Sequence, residues 1–303
     1  MNTSQSLKAD AKGAEARGGA ICVAVAGGGH AANAVAGELG RQGHRVRMLE
    51  YPGRVSRLED VRRSKSIHVM GCGRDDVTPI DAVTTDAAEA LDGADMLVVA
   101  VPAHAHAAFA RLTVPHLRQG QIVVVFTASF GGLEWAAACG DEREIPFTVV
   151  EADNLPFTAR VTGPAEVTIH LEVPELKCSA FPASRNSTVG TMIRGVFPQM
   201  RFCGDLLEPM LCNMNGVVHP PALLFNVPQI DRSRGQPWWI WEVGVTPTVA
   251  KVIERSDRER LAIGKAFGLE LPPIAEIMWR SGYGPRGTIY EAINGCAAIR
   301  NVR

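Results

Sequence analysis

The sequence has no C-x-x-C pair: its seven cysteines (22, 72, 139, 178, 203, 212 and 296) are scattered and odd in number. That spacing argues against a disulfide framework or a zinc site and predicts reduced thiols. Neither sign of charge is in excess, since 31 Lys and Arg against 32 Asp and Glu leave a net charge of −1. There is therefore no global attraction to nucleic acid or to an anionic membrane. No uninterrupted apolar run is long enough to span a bilayer. The opening MNTSQSLKADAKGAEARGG lacks the apolar stretch of a secretory signal, and residues 1–19 read as a disordered tail. Together these absences predict a cytoplasmic protein. What remains is an ordinary globular composition, 46% hydrophobic and 21% charged, in 303 residues, enough for two domains.

What is present begins at residue 20. AICVAVA (20–26) reads as a central parallel strand, broken by Gly27-Gly28-Gly29. From Ala31 to Arg41 small and apolar residues recur at helical spacing, Gly43 stops the helix, and HRVRMLE (44–50) alternates as a second strand. That βαβ unit is the context a dinucleotide fingerprint needs, and Gly27-x-Gly29-x-x-Ala32 fits G-x-G-x-x-G/A. Gly27 permits the tight turn, Gly29 lets backbone approach a pyrophosphate, and Ala32 lets helix pack on strand. Gly28, His30 and Ala31 complete the helix start, whose free N–H groups and positive dipole end face the phosphates. Glu50, 21 residues past Gly29, is placed to accept from both ribose hydroxyls, which favours NAD. Arg54 and Arg57 just beyond could instead hold a 2′-phosphate, so NADP stays open.

Short apolar strands and helices continue to alternate: DAAEALDGAD (86–95) as helix, MLVVAVPA (96–103) as strand, HAHAAFARLTVPHL (104–117) as helix and QIVVVFTAS (121–129) as strand. FTVVEADNLPFTARV (147–161) and LKCSAFPAS (176–184) read as further strands with loops, and 184–200 as a last helix. The pattern predicts a doubly wound parallel α/β sheet over residues 20–204. Ligands in such sheets sit beyond the carboxyl ends of the strands, here Pro102–His106, Thr127–Gly131 and Glu151–Phe157. His104 and His106 have no third ligand at recognisable spacing, so a loop lining the nicotinamide pocket is preferred to a metal site.

Residues 205–303 change texture, with fewer β-branched runs and more Leu, Met, Trp and Pro, and read as an all-helical second domain. In LLEPMLCNMNGVVHPPALLFN (206–226) a helix surrounds His219, with Pro220-Pro221 expected to kink it and Asn215 on the histidine's side. An isolated histidine is usually a satisfied core group. The kink and the asparagine set this one apart as the best general acid/base in the chain. The tryptophans of QPWWIWE (236–242) are assigned to core packing, and Thr246-Pro247 to the cap of a long helix ending at Gly268.

GGGHAANAVAGELGRQGHRVRMLE, VVAVPAHAHAAFA, EADNLPFTAR and NMNGVVHPPALLFN, in this order, resemble the opine dehydrogenases (octopine/nopaline dehydrogenase family) from residue 20 to the end. The resemblance implies a Rossmann domain followed by a helical domain. It also implies NAD(P)H-dependent condensation of an amino acid with a 2-oxo acid such as pyruvate, through an imine, in a monomer or homodimer. It makes His219 the catalytic histidine and assigns the dinucleotide to Gly27–Ala32, Glu50 and Pro102. Asn154 and Asn215 would help shape the substrate pocket. It further implies an aspartate partner for the histidine and a carboxylate-binding arginine beyond the closing YEAINGCAAIRNVR, so the chain reads as lacking the family's end; Asp257 and Arg280 are conceivable substitutes. The alternatives are a ketopantoate reductase or glycerol-3-phosphate dehydrogenase relative, which would need a catalytic lysine such as Lys251 or Lys265, and an idle NAD(P)-binding protein.

Overall fold

The computed structural model describes residues 19–127, 130–140, 145–236 and 238–299. The expected tail up to residue 18, Ala128 and Ser129 of the expected crevice, Pro237 and residues 300–303 lie outside the described residues.

The strands, in chain order, are β1 (Cys22–Ala26), β2 (Arg45–Leu49), β3 (Ser66–Gly71), β4 (Arg74–Pro79), β5 (Ala82–Thr84), β6 (Met96–Val99), β7 (Ile122–Phe126), β8 (Thr148–Ala152), β9 (Phe157–Gly163), β10 (Glu166–Glu172), β11 (Leu176–Phe181) and β12 (Met200–Phe202). Eight of them form the main sheet, in the order β12-β11-β8-β7-β6-β1-β2-β5. From β5 to β8 every pairing is parallel. The strand order reverses at β1, between β2 and β6, which puts a ligand crevice beside its carboxyl end. One pairing departs from the doubly wound pattern: β11 runs antiparallel to β8.

The central strands are apolar on both faces because both faces are covered. Val23 and Val25 of β1 enter one buried cluster while Ala24 and Ala26 enter the other. The first cluster is closed by α1 (His30–Arg41) and, beyond it, by a second sheet in the order β4-β3-β10-β9. Gly37 of α1 packs directly on Val69 of β3, with no room for a Cβ. Arg74 ties the layers, donating from Nε to Glu38 of α1 at 2.8 Å and pairing with Glu172 of β10 at 2.5 Å. This sheet was not expected. Residues 157–161, read with β8, belong to it, and its β3–β4 hairpin turns through three consecutive left-handed residues, Gly71, Cys72 and Gly73.

Among the described residues, five further helices accompany the sheets: α2 (Glu59–Ser64), α3 (Ala87–Leu91), α4 (His106–Thr113), α5 (Leu133–Ala138) and α6 (Asn186–Val196). The chain then becomes helical, with α7 (Leu207–Cys212), α8 (Asn215–Leu224), α9 (Val227–Ser233), α10 (Pro247–Ala266), α11 (Ile274–Arg280) and α12 (Ile289–Asn294) around a third apolar cluster. The expected helix over 206–226 is two helices, because the Asn213 side chain accepts the Asn215 N–H at 3.0 Å and starts a new one. Pro220 and Pro221 do not interrupt α8. The carbonyl left without a donor by Pro220 is that of Gly216, in the exposed first turn. α10 starts on Thr246, whose hydroxyl accepts the Val249 N–H, and ends before left-handed Gly268. Asp257 is buried and pairs with Arg260 at 2.7 Å while accepting the Ile274 N–H, so it staples α10 to α11 and is no partner for His219. Arg280 pairs with Glu276 on its own exposed helix face. Among the described residues no helix is long and apolar enough to cross a membrane.

Candidate active site

Where β1 ends, Gly27 adopts φ +116°, and a Cβ there would strike Val101 and the Ala100 carbonyl beyond β6. The chain can pass so close to β6 only without a side chain. A Cβ on Gly28 would lie 2.5 Å from Glu50 Oε2, so turn and carboxylate are packed together. Gly29 faces open space, with nothing within 4 Å of a Cβ position, and precedes α1 without a side-chain cap. The first turn of α1 holds no acidic residue, so its N–H groups stay available to an anion. Ala32 is fully buried against the turn and Ala31 half-buried beside it. The Asn33 amide donates to the Gly28 and Gly29 carbonyls at 3.3 and 2.9 Å, fixing the loop from below.

Glu50 is buried, and its Oε1 accepts the Tyr51 N–H at 2.8 Å. Its Oε2 is enclosed with no hydrogen-bond partner. A buried carboxylate oxygen without a donor is costly, and a ligand hydroxyl beside the glycine turn would satisfy it. The residues present thus fit a dinucleotide. Arg54 and Arg57 are exposed just past it. Pro102 is exposed at the same rim, beginning the short turn after Val101. His30 is exposed, and its Nδ1 accepts the Val161 N–H of β9 at 3.0 Å. Burial of part of its ring, and then the charge of Arg160, lower its pKa.

Two other expected crevice segments take different parts. His106 is not on a pocket loop but in the core, 1% exposed, with Nε2 at 3.3 Å from the Val101 carbonyl and its ring against Trp135. Gly131 packs directly on its Nδ1, while His104 stays exposed. Asn154, after β8, orders its own loop through Oδ1 and donates from Nδ2 to the Tyr283 hydroxyl at 3.4 Å; Thr158 reaches the same hydroxyl at 3.2 Å. Tyr283 packs against both the sheet core and the helical core and so bridges the two halves. Burial raises its pKa. Asp153, beside Asn154, is buried deeply enough that desolvation raises its pKa to about 7 against the opposing Lys177 N–H and charge. The halves also meet where the Phe130 N–H reaches Met210 Sδ and Lys177 pairs with Glu208 at 2.6 Å.

His219 lies on α8 with its side open to solvent on one face and set edge-on to Trp241, 4.8 Å between rings, on the other. Trp241 is a core residue, in a single turn of π-type helix over Ile240–Gly244, a form that recurs at functional sites. The crowding desolvates the imidazole and lowers its pKa, with no charged neighbour contributing. Asn215 begins α8 one turn before it. The structure thus brings the glycine turn, Glu50, Pro102 and His30 together, and separately Asn154 with Tyr283. It joins His219 by hydrogen bond to none of them among the described residues. Arg160 and Tyr283 were not foreseen; in FTAR, the alternation that puts Thr158 and Arg160 on one face of β9 was the available signal.

Residues 202–303 match the family described as "NAD/NADP octopine/nopaline dehydrogenase, alpha-helical domain", and residues 22–129 match "NADP oxidoreductase coenzyme F420-dependent". A curated opine dehydrogenase of Arthrobacter sp. (strain 1C) is 30% identical over 281 residues, 92% of this chain and 77% of that protein. Among solved structures, octopine dehydrogenase in complex with NADH and agmatine superposes with a TM-score of 0.72 at 19% identity, covering 92% of this chain and 75% of its own. A ketopantoate reductase from Ralstonia eutropha JMP134 follows at 0.60 and 17%, covering 88% and 83%. At these identities the two structures speak for the fold alone.

Proposed function

The chain belongs to the opine dehydrogenase family, and we propose on that premise that His219 is the acid–base residue of its reaction. The enzyme is an NAD(P)-dependent oxidoreductase acting on CH–NH bonds. Its substrates are an amino acid and a 2-oxo acid such as pyruvate: the amine attacks the carbonyl carbon, water leaves, and the imine is reduced to a secondary amine. The nicotinamide cofactor, when bound, supplies the hydride.

The chain's own residues divide the rest of the work. Gly27, Gly28 and Gly29, with the first-turn N–H groups of His30, Ala31 and Ala32, hold the pyrophosphate. Glu50 accepts from the ribose hydroxyls through the oxygen that has no other donor, which favours NAD over NADP, and Pro102 borders the nicotinamide end. Asn154 and Asn215 shape the amino-acid pocket. An amine attacks only when neutral, so the group beside it must be a free base at neutral pH. A desolvated imidazole meets that need, taking the ammonium proton and returning a proton to the departing water. The placement of this ring, edge-on to buried Trp241 with its other face open to solvent in the segment that resembles the family's N-x-x-x-H-P-P, is the observation that carries the proposal. Seven free thiols suit a reducing compartment, and we place the enzyme in the cytoplasm.

One observation favours the idle reading: among the described residues no carboxylate pairs with His219 to orient it. NADH oxidation with a panel of amino acids and pyruvate separates the two. We expect oxidation that requires both substrates. Tight NADH binding without turnover on any pair would establish the idle protein instead.

A further inference from the structure

The fingerprint at the glycine turn contains no cation, although the group it holds is an anion. The small sheet brings one there. β9 runs beside α1 and is bound to its first residue through the Val161 N–H and His30 Nδ1, 3.0 Å apart. Arg160 is the residue before Val161, and its side chain is half-buried. Its guanidinium donates to the carbonyl of its neighbour Ala159 at 2.8 Å, and no carboxylate pairs with it among the described residues. Its charge is nonetheless felt at His30, where it adds to burial in lowering the imidazole pKa. Strand alternation sets Arg160 on the same face as Thr158, whose hydroxyl meets Tyr283 at 3.2 Å. Arg160 thus adjoins the strand residue bound to the start of α1 and shares the face of β9 that carries the brace between the two halves.

We propose that Arg160 binds the pyrophosphate of the dinucleotide, reaching it from the small sheet. A guanidinium fork matches phosphate oxygens in pairs, and among the described residues this one has most of its donors uncommitted. The start of α1 offers backbone N–H groups and a partial positive charge, and a full charge beside them completes the anion site. The second sheet is then part of the cofactor site as well as the cover of α1. The inference rests on the dinucleotide occupying the glycine turn, which a titration of the wild-type protein with NADH checks independently.

The test is equilibrium binding by fluorescence, with NADH, ADP-ribose and adenosine as probes, on wild type, Arg160→Gln and Arg160→Lys. Loss of the guanidinium should weaken NADH and ADP-ribose about tenfold, the range of one charge-assisted contact, and leave adenosine unchanged. The salt dependence of NADH binding should become shallower, and the lysine variant should recover part of the affinity. NADH and ADP-ribose constants within twofold of wild type in a variant whose circular dichroism is unchanged would overturn the proposal. So would a rise confined to the KM of the 2-oxo acid, which would assign the arginine to a substrate carboxylate. Should Arg160→Gln not fold, the lysine variant decides, since a bidentate contact weakens with lysine and a bystander charge does not.

Discussion

At the glycine turn Gly27, Gly28 and Glu50 are packed against their neighbours, whereas His219 rests against one indole and opens to solvent. Gly28 sits on Glu50, Gly27 on Val101, and Asn33 holds both remaining carbonyls. The histidine has Trp241 and no hydrogen-bond partner among the described residues. The groups proposed to hold the cofactor come mostly from one βαβ unit, joined by Pro102 after β6 and Arg160 of β9. The chemical half is a reactive group whose orientation depends on what comes to it. Affinity should thus be robust where chemistry is fragile.

The sharpest way to break that contrast is His219→Ala. Turnover should fall by about 10²–10⁴, the usual yield of a positioned acid/base, while the NADH dissociation constant stays put. In the wild type the rate of amine attack should decline as pH falls through the pKa of the imidazole, because protonation removes the base. Since desolvation lowers that pKa, the acid limb should lie below about 6.5 and vanish in the variant. Retained turnover, or an acid limb that persists in the variant, would place the acid/base elsewhere.

The converse experiment attacks the packed half. Gly28→Ala inserts a Cβ 2.5 Å from Glu50 Oε2, and Arg57 and Leu58 at 3.1 and 3.2 Å leave it little room to shift. NADH binding should weaken by roughly tenfold or more, with turnover at saturating cofactor much less affected. An unchanged dissociation constant would mean that turn and carboxylate are not held as described. Smallest in effect, Glu50→Gln keeps the shape and removes the charge. The NADH-to-NADPH ratio of kcat/KM should drop by about fivefold, on the scale of the net worth of one hydrogen bond, as repulsion of a 2′-phosphate is relieved. A ratio that does not move would leave cofactor choice to Arg54 and Arg57.

The same division decides what could be read beforehand. β1, α1 and β2 were legible because an apolar run, a glycine break and a helical repeat follow one another without insertion. The small sheet was not. Its outer positions are solvated, which dilutes the apolar signal, and β9 and β10 lie nearly a hundred residues from β3 and β4. The break between α7 and α8 carried a readable sign, Asn213 as a cap, that the apolar spacing around it masked. His106 was assigned to a loop because it follows a proline, but α4 turns it inward against Trp135. Tyr283 meets Asn154 across 129 residues, and no local pattern encodes such a pairing.

The Asn33 amide has one more consequence. Because it grips the Gly28 and Gly29 carbonyls, the loop is restrained by a side chain of the fold itself. Most glycine-rich loops must lose backbone freedom on binding, at about 1–2 kcal/mol per residue fixed. Here the Asn33 amide restrains two of those residues as the chain folds, so less ordering is left for a dinucleotide to impose at this turn.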